Sequence, residues 1–142
     1  MPGATGTNEK LGGGGFHHVA VFVPDFDAAL RFYQDALGFT ERVAWGEGDR
    51  RAALLDTGDG NYLEVFAGGS TEPTPAKPIQ HFALRTANVD AAIERVRAAG
   101  APVTVEPEDI VLSRGPHAVP ARIAFCRGPG GEQIEFFQNE LT

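Results

Sequence analysis

The first patterned stretch, Phe16 to Val23, reads Phe-His-His-Val-Ala-Val-Phe-Val, rich in β-branched and aromatic residues, and predicts a strand. Pro24 and Asp25 stop it. Asp25 suits a helix N-cap, and Phe26, Leu30, Tyr33 and Leu37 then recur at helical spacing until Gly38 ends the run. Three strand-like runs follow, Phe39 to Trp45, Arg51 to Thr57 and Asn61 to Phe66, separated by glycine-rich turns at Gly46 to Asp49 and Gly58 to Gly60. Gly68 to Pro78, with Pro73 and Pro75 inside it, predicts a linker.

The pattern then begins again. Ile79 to Thr86 predicts a strand. Asn88 predicts a cap for a helix whose buried stripe is Val89, Ile93 and Val96, with Gly100 at its end and Glu94, Arg95 and Arg97 on its wet side. Weaker strand signals lie at Pro102 to Glu106 and Asp109 to Leu112, and clearer ones at Ala121 to Cys126 and Glu132 to Gln138; Ser113 to Pro120 predicts a loop. Sliding the chain against itself brings His18 onto His81, Ala20 onto Ala83, Asp25 onto Asn88 and the first helix stripe onto the second. At a longer offset, Tyr62-Leu63-Glu64-Val65-Phe66 falls on Gln133-Ile134-Glu135-Phe136-Phe137. Strand, cap, stripe and final strand match in order, which predicts a tandem βαβββ repeat of α+β class, with modules at 16–68 and 78–138. Residues 1–15, ending in four glycines, are expected to form a flexible tail before a single domain at 16–142.

Strand alternation sorts the side chains. Val19, Val21 and Val23 share one face of the first strand, as do Phe82 and Leu84, Leu63 and Val65, and Ile134 and Phe136 in the others; these suit the side covered by helices. The opposite faces carry His18, Glu64, His81 and Glu135, so each repeat places one His and one Glu away from its helix. A carboxylate on a sheet face among aromatic rings is costly without a partner. Two imidazoles and two carboxylates converging on one point would suit a divalent transition metal ion: Zn²⁺, Ni²⁺, Co²⁺, Mn²⁺ or Fe²⁺. His17 points to the other face by the same alternation and is left out. Tyr62 lies on the pocket face, Arg85 shares the face of His81, and His117 sits in the Pro-containing loop. These three are candidate substrate contacts, with packing, a structural ion pair and solvation as their respective alternatives.

Composition narrows the partners. The formal charge of −7 leaves no basic stripe for nucleic acid or an anionic membrane, and no apolar run approaches a membrane span. A lone cysteine, Cys126, excludes an intrachain disulfide and a Cys-rich zinc site, and is read as a buried strand residue. With no secretory pattern at the start, the expected location is the cytoplasm and the expected partner a small-molecule substrate.

The runs His18-Val19-Ala20-Val21 with Pro24-Asp25, Arg31-Phe32-Tyr33-Gln34-Asp35-Ala36-Leu37-Gly38-Phe39, Tyr62-Leu63-Glu64-Val65 and Gly130-Gly131-Glu132-Gln133-Ile134-Glu135-Phe136 resemble the vicinal oxygen chelate superfamily. That superfamily includes glyoxalase I, methylmalonyl-CoA epimerase, extradiol dioxygenases and the fosfomycin and bleomycin resistance proteins. The resemblance spans Phe16 to Gln138 and implies the glyoxalase/bleomycin resistance fold, a curved mixed sheet around a metal pocket. It implies His18, Glu64, His81 and Glu135 as the ligands, a set similar to that of bacterial glyoxalase I. It further implies a lyase or isomerase working through an enediolate, with Glu135 as the proton-moving base and Glu64 as the second candidate, in a homodimer. The competing readings are a metal-free drug-binding or antibiotic-resistance protein, and an epimerase or thiol transferase on the same scaffold.

Overall fold

The computed structural model describes residues 7, 9–11, 16–72, 81–112 and 118–140. Most of the expected tail, the linker from Pro73 to Pro78, the start of the second repeat at Ile79 and Gln80, and the loop residues 113–117 lie outside the described residues. Within the expected tail, Glu9–Leu11 forms one 3₁₀ turn. The chain divides into two compact units, Met1–Gly69 and Ser70–Thr142.

The first unit runs β1 (His18–Phe22), α1 (Phe26–Arg31), β2 (Thr40–Trp45), β3 (Ala52–Asp56) and β4 (Tyr62–Phe66). Its four strands form a mixed sheet in the order β1-β4-β3-β2. The last strand returns to lie parallel to the first, aligning His18 with Tyr62 and Ala20 with Glu64. The ladder continues past both ends of β1: the Tyr62 N–H donates to the His17 carbonyl at 2.8 Å and the Val23 N–H to the Phe66 carbonyl at 2.8 Å. Asp25 caps α1 by accepting from the Ala28 N–H at 3.0 Å. Gly69 closes the unit against β1; a Cβ there would fall 2.6 Å from the Phe22 carbonyl carbon, so no larger residue fits without moving the strand.

Two details depart from the sequence reading. The first helix is α-helical only to Arg31 and continues as a wider π turn over Phe32–Ala36. The residues that turn fully inward are Phe26, Ala29, Tyr33 and Ala36, whereas Leu30 and Leu37 are half-buried. Small alanines at the contact let the helix backbone come close to the sheet, and the leucines flank it. The valine face of β1 is covered unevenly. Val23 is fully buried, Val21 half-buried and Val19 still 36% exposed. Burial on β1 thus fades with distance from Phe26, where α1 begins.

The second unit runs β5 (Phe82–Arg85), α2 (Val89–Ala98), β6 (Val103–Leu112), β7 (Val119–Arg127) and β8 (Gln133–Gln138). Its sheet order, β5-β8-β7-β6, repeats the first topology, and β5 again runs parallel to the final strand. Asn88 caps α2 through Ala91 N–H at 3.0 Å, and Val89, Ile93 and Val96 are fully buried, as their spacing requires. Gly100 takes the left-handed conformation (φ +86) that follows the helix end. The two weak strand signals are one ten-residue strand, β6. Pro107 sits inside it, which is tolerated because β6 is the sheet edge and its register against β7 shifts between Val105 and Glu108. Arg122 on β7 ties the layers together, donating to Asp90 at the start of α2 (2.7 Å and 2.9 Å) and to Asp109 on β6 (3.1 Å). Its hydrogen bonds hold the Asp90 carboxyl below the usual carboxylate range, so this tie is present at neutral pH and is lost as pH falls through the depressed value.

Ile93→Ala removes a fully buried side chain from the contact of α2 with its sheet. The expected loss is about 2–5 kcal/mol in urea denaturation, against within about 0.5 kcal/mol for Glu94→Ala on the wet face.

Candidate metal centre

Each unit builds one His–Glu pair by the same device. In the first, parallel pairing sets Ala20 beside Glu64, so the imidazole of His18, two residues back on the same face, reaches diagonally toward the carboxylate. His18 Nε2 lies 3.8 Å from Glu64 Oε2. In the second unit Ala83 is aligned with Glu135, and His81, just before β5, reaches across in the same way. There His81 Nε2 stands 2.9 Å from Glu135 Oε2, a hydrogen-bond distance. An alanine beside each glutamate leaves the space the imidazole crosses.

The electrostatic setting is similar in both. The two imidazoles are accessible, with side chains 42% and 40% exposed, while the Glu64 and Glu135 side chains retain only 17% and 10%. Glu135 is the one charged residue in the buried class among the described residues. A carboxylate withdrawn from water needs a positive or donating partner; His81 stands within hydrogen-bond distance of Glu135, whereas His18 does not reach Glu64. Each pair offers one nitrogen and one oxygen, the donor types that borderline divalent cations take. Among the described residues no group of three or more His, Cys, Asp or Glu side chains is arranged to hold a metal ion.

The neighbours of the two pairs differ. The turn after Arg127 aligns Phe125 with Glu135, and the Phe125 ring meets the His81 ring edge-on at 5.4 Å. The corresponding neighbour of Glu64 is Leu54, which offers no ring. His18 instead has a neighbour that strand alternation had set aside: His17 Nδ1 lies 3.0 Å from His18 Nδ1, and the His17 ring packs on Tyr62 at 5.1 Å. The register of Phe125 was open to counting back from the Gly128–Gly131 turn. The His17 contact was not, because His17 precedes β1 and is free of its alternation.

The candidate substrate contacts lie on separate elements. Tyr62 is half-buried at the start of β4, aligned with His18. Arg85 is exposed at the far end of β5, on the His81 face and aligned with Phe137. The equivalent end of the first unit carries Phe22 stacked on Phe66 at 5.1 Å. His117 lies outside the described residues. Cys126 is fully buried on the opposite, helix-facing side of its strand.

Two βαβββ units, each with a His–Glu pair on the face away from its helix, define the class of a duplicated mixed-sheet protein. The family model of the glyoxalase/bleomycin resistance protein/dioxygenase superfamily matches residues 15–136, and the chain belongs to that superfamily. It is 32% identical to a 2-epi-5-epi-valiolone epimerase from an Actinomyces species, covering 84% of this chain and 76% of the relative. It is 29% identical to the lactoylglutathione lyase of Haemophilus influenzae, covering 88% and 93%. Its fold is shared with a mutant of the fosfomycin resistance protein FosX from Listeria monocytogenes, solved with Mn(II) and 1S,2S-dihydroxypropylphosphonic acid. That likeness has a TM-score of 0.66 at 19% identity over 89% of this chain and 93% of the other. Among the described residues no helix is long and apolar enough to cross a membrane.

Burial, with a smaller push from Glu132, raises the Cys126 thiol to about 12. Its contribution to stability is complete below the unfolded thiol's ordinary value and is lost as pH climbs toward the folded one. At mildly alkaline pH the native protein should therefore take up almost no iodoacetamide by mass spectrometry, and the urea-unfolded protein should label fully. Rapid native labelling would show that β7 opens.

Proposed function

We propose that this protein is a glyoxalase I-like lyase/isomerase that holds one divalent transition metal ion through His18, Glu64, His81 and Glu135. The observation that carries the reading is the repetition of a partly or fully buried glutamate beside an accessible histidine, at Glu64 with His18 and at Glu135 with His81. A chain that only sequestered a ligand would gain nothing from keeping both pairs. Similarity to a lactoylglutathione lyase supports the same reaction class.

When bound, the ion would supply Lewis acidity toward two neighbouring substrate oxygens, such as those of a thiohemiacetal. The protein's own part is proton handling. Glu135, largely shielded from water with its Oε2 2.9 Å from His81 Nε2, would take a proton from the substrate carbon and return it to the adjacent one. Glu64 is the second candidate for that role. Arg85 would grip an anionic group of the substrate, Tyr62 would pack against it, and His117 would contact it from its loop. The protein works in the cytoplasm as a homodimer in this reading. An epimerase is the second reading, favoured by the 32% identity to 2-epi-5-epi-valiolone epimerase. It too moves a proton at a carbon, and the same carboxylates would serve.

Metal analysis of purified protein tests the proposal. Wild type should carry about one transition-metal ion per chain and the His81→Ala, Glu135→Gln double variant far less. An empty wild type after reloading would sink the enzyme reading and favour a drug-binding protein. With metal present, Glu135→Gln should keep the urea midpoint near that of wild type while thiohemiacetal turnover falls about 10²-fold or more. Full activity would remove Glu135 from the mechanism.

A further inference from the structure

A neutral imidazole carries one N–H, and the hydrogen bond made at one ring nitrogen decides what the other can do. His18 Nδ1 stands 3.0 Å from His17 Nδ1, so one nitrogen of that pair holds the shared proton and the other accepts it. On its other side, His18 Nε2 is 3.8 Å from Glu64 Oε2, beyond hydrogen-bond reach. A proton on His18 therefore has a protein acceptor within reach at Nδ1, whereas at Nε2 the Glu64 carboxylate is too far for a hydrogen bond. His17 is itself held in place: its carbonyl accepts from the Tyr62 N–H at 2.8 Å and its ring lies against the Tyr62 ring, 5.1 Å between centroids.

We propose that His17 is a positioning residue for His18: its Nδ1 accepts the His18 Nδ1–H and so presents the His18 Nε2 lone pair toward Glu64 as a ready donor. The role rests on the reading of His18 as a metal ligand. Partners of this kind orient a ligating ring and raise its basicity, and their loss commonly lowers metal affinity 10–100-fold. The second unit solves the same problem differently. His81 makes a 2.9 Å contact with Glu135 and is braced by the Phe125 ring, so the two half-sites fix their imidazoles by unlike means.

Two measurements test this, one of them without metal. In metal-free wild type with ¹⁵N-labelled histidine, long-range ¹H–¹⁵N correlations well above neutral pH should show His18 protonated at Nδ1 and His17 unprotonated at Nδ1. His18 protonated at Nε2 overturns the proposal whatever the metal does. Next, Co²⁺ is titrated into wild type, His17→Phe and His17→Gln, with circular dichroism checking the fold. His17→Phe keeps a ring on Tyr62 but has no acceptor, and its Kd should rise about tenfold or more; His17→Gln, with an amide oxygen, should recover part of the loss. Equal Kd values in wild type and His17→Phe, or in His17→Gln should His17→Phe not fold, overturn the positioning role and leave the metal reading standing. No Co²⁺ uptake by wild type, with the tautomer as described, overturns the metal reading and the positioning role with it.

Discussion

The parallel return of the last strand of each unit onto the first is the constraint on which the rest of the structure depends. It joins residues far apart in sequence at fixed register, Ala20 with Glu64 and Ala83 with Glu135, and so sets a histidine diagonally across from each glutamate. A parallel pair needs a crossover, and the intervening helix and hairpin supply it. The helix covers one face of the sheet with apolar residues. By strand alternation, the chemistry is left on the other. A one-residue slip in either parallel pairing would turn the glutamate into the apolar layer beneath α1 or α2, where nothing could answer its charge. Register, core packing and the His–Glu pairs are therefore one requirement met together.

Much of this is legible in the sequence because duplication writes the same instruction twice. A lone His18 on a strand carries little information, but its coincidence with His81, with Ala20 on Ala83 and Asp25 on Asn88, fixes both topology and face. The caps were equally readable, since Asp25 and Asn88 accept from the N–H groups three residues on. The α2 stripe of Val89, Ile93 and Val96 needed only the helical period.

What stayed hidden depended on interactions between elements or beyond the ends of one. Periodicity assumes a uniform helix, so the π turn at Phe32–Ala36, and the inward place it gives Ala36, could not be read from Leu30 and Leu37. Pro107 divided β6 into two signals because a proline counts against a strand unless it is known to lie on an edge, and edge position is a property of the whole sheet. Phe125 becomes a neighbour of His81 through the antiparallel register of β7 with β8, which has to be counted back across the Gly128–Gly131 turn and cannot be read from either strand alone. His17 was set aside by applying alternation one residue beyond the strand that obeys it.

These hidden contacts bear on why the two halves are similar without being the same. A duplicated fold inherits two copies of each His–Glu geometry, but the surroundings of each copy are free to drift. Phe125 fills the place beside Glu135 with a ring that braces His81, and there the imidazole closes to 2.9 Å from its carboxylate. Leu54 occupies the equivalent place beside Glu64, cannot brace an imidazole in that way, and the corresponding distance is 3.8 Å. The contact missing on that side of His18 is replaced on the other, by His17. In the second unit the imidazole is therefore engaged by the adjacent glutamate, whereas in the first the equivalent nitrogen stays beyond hydrogen-bond reach of its carboxylate.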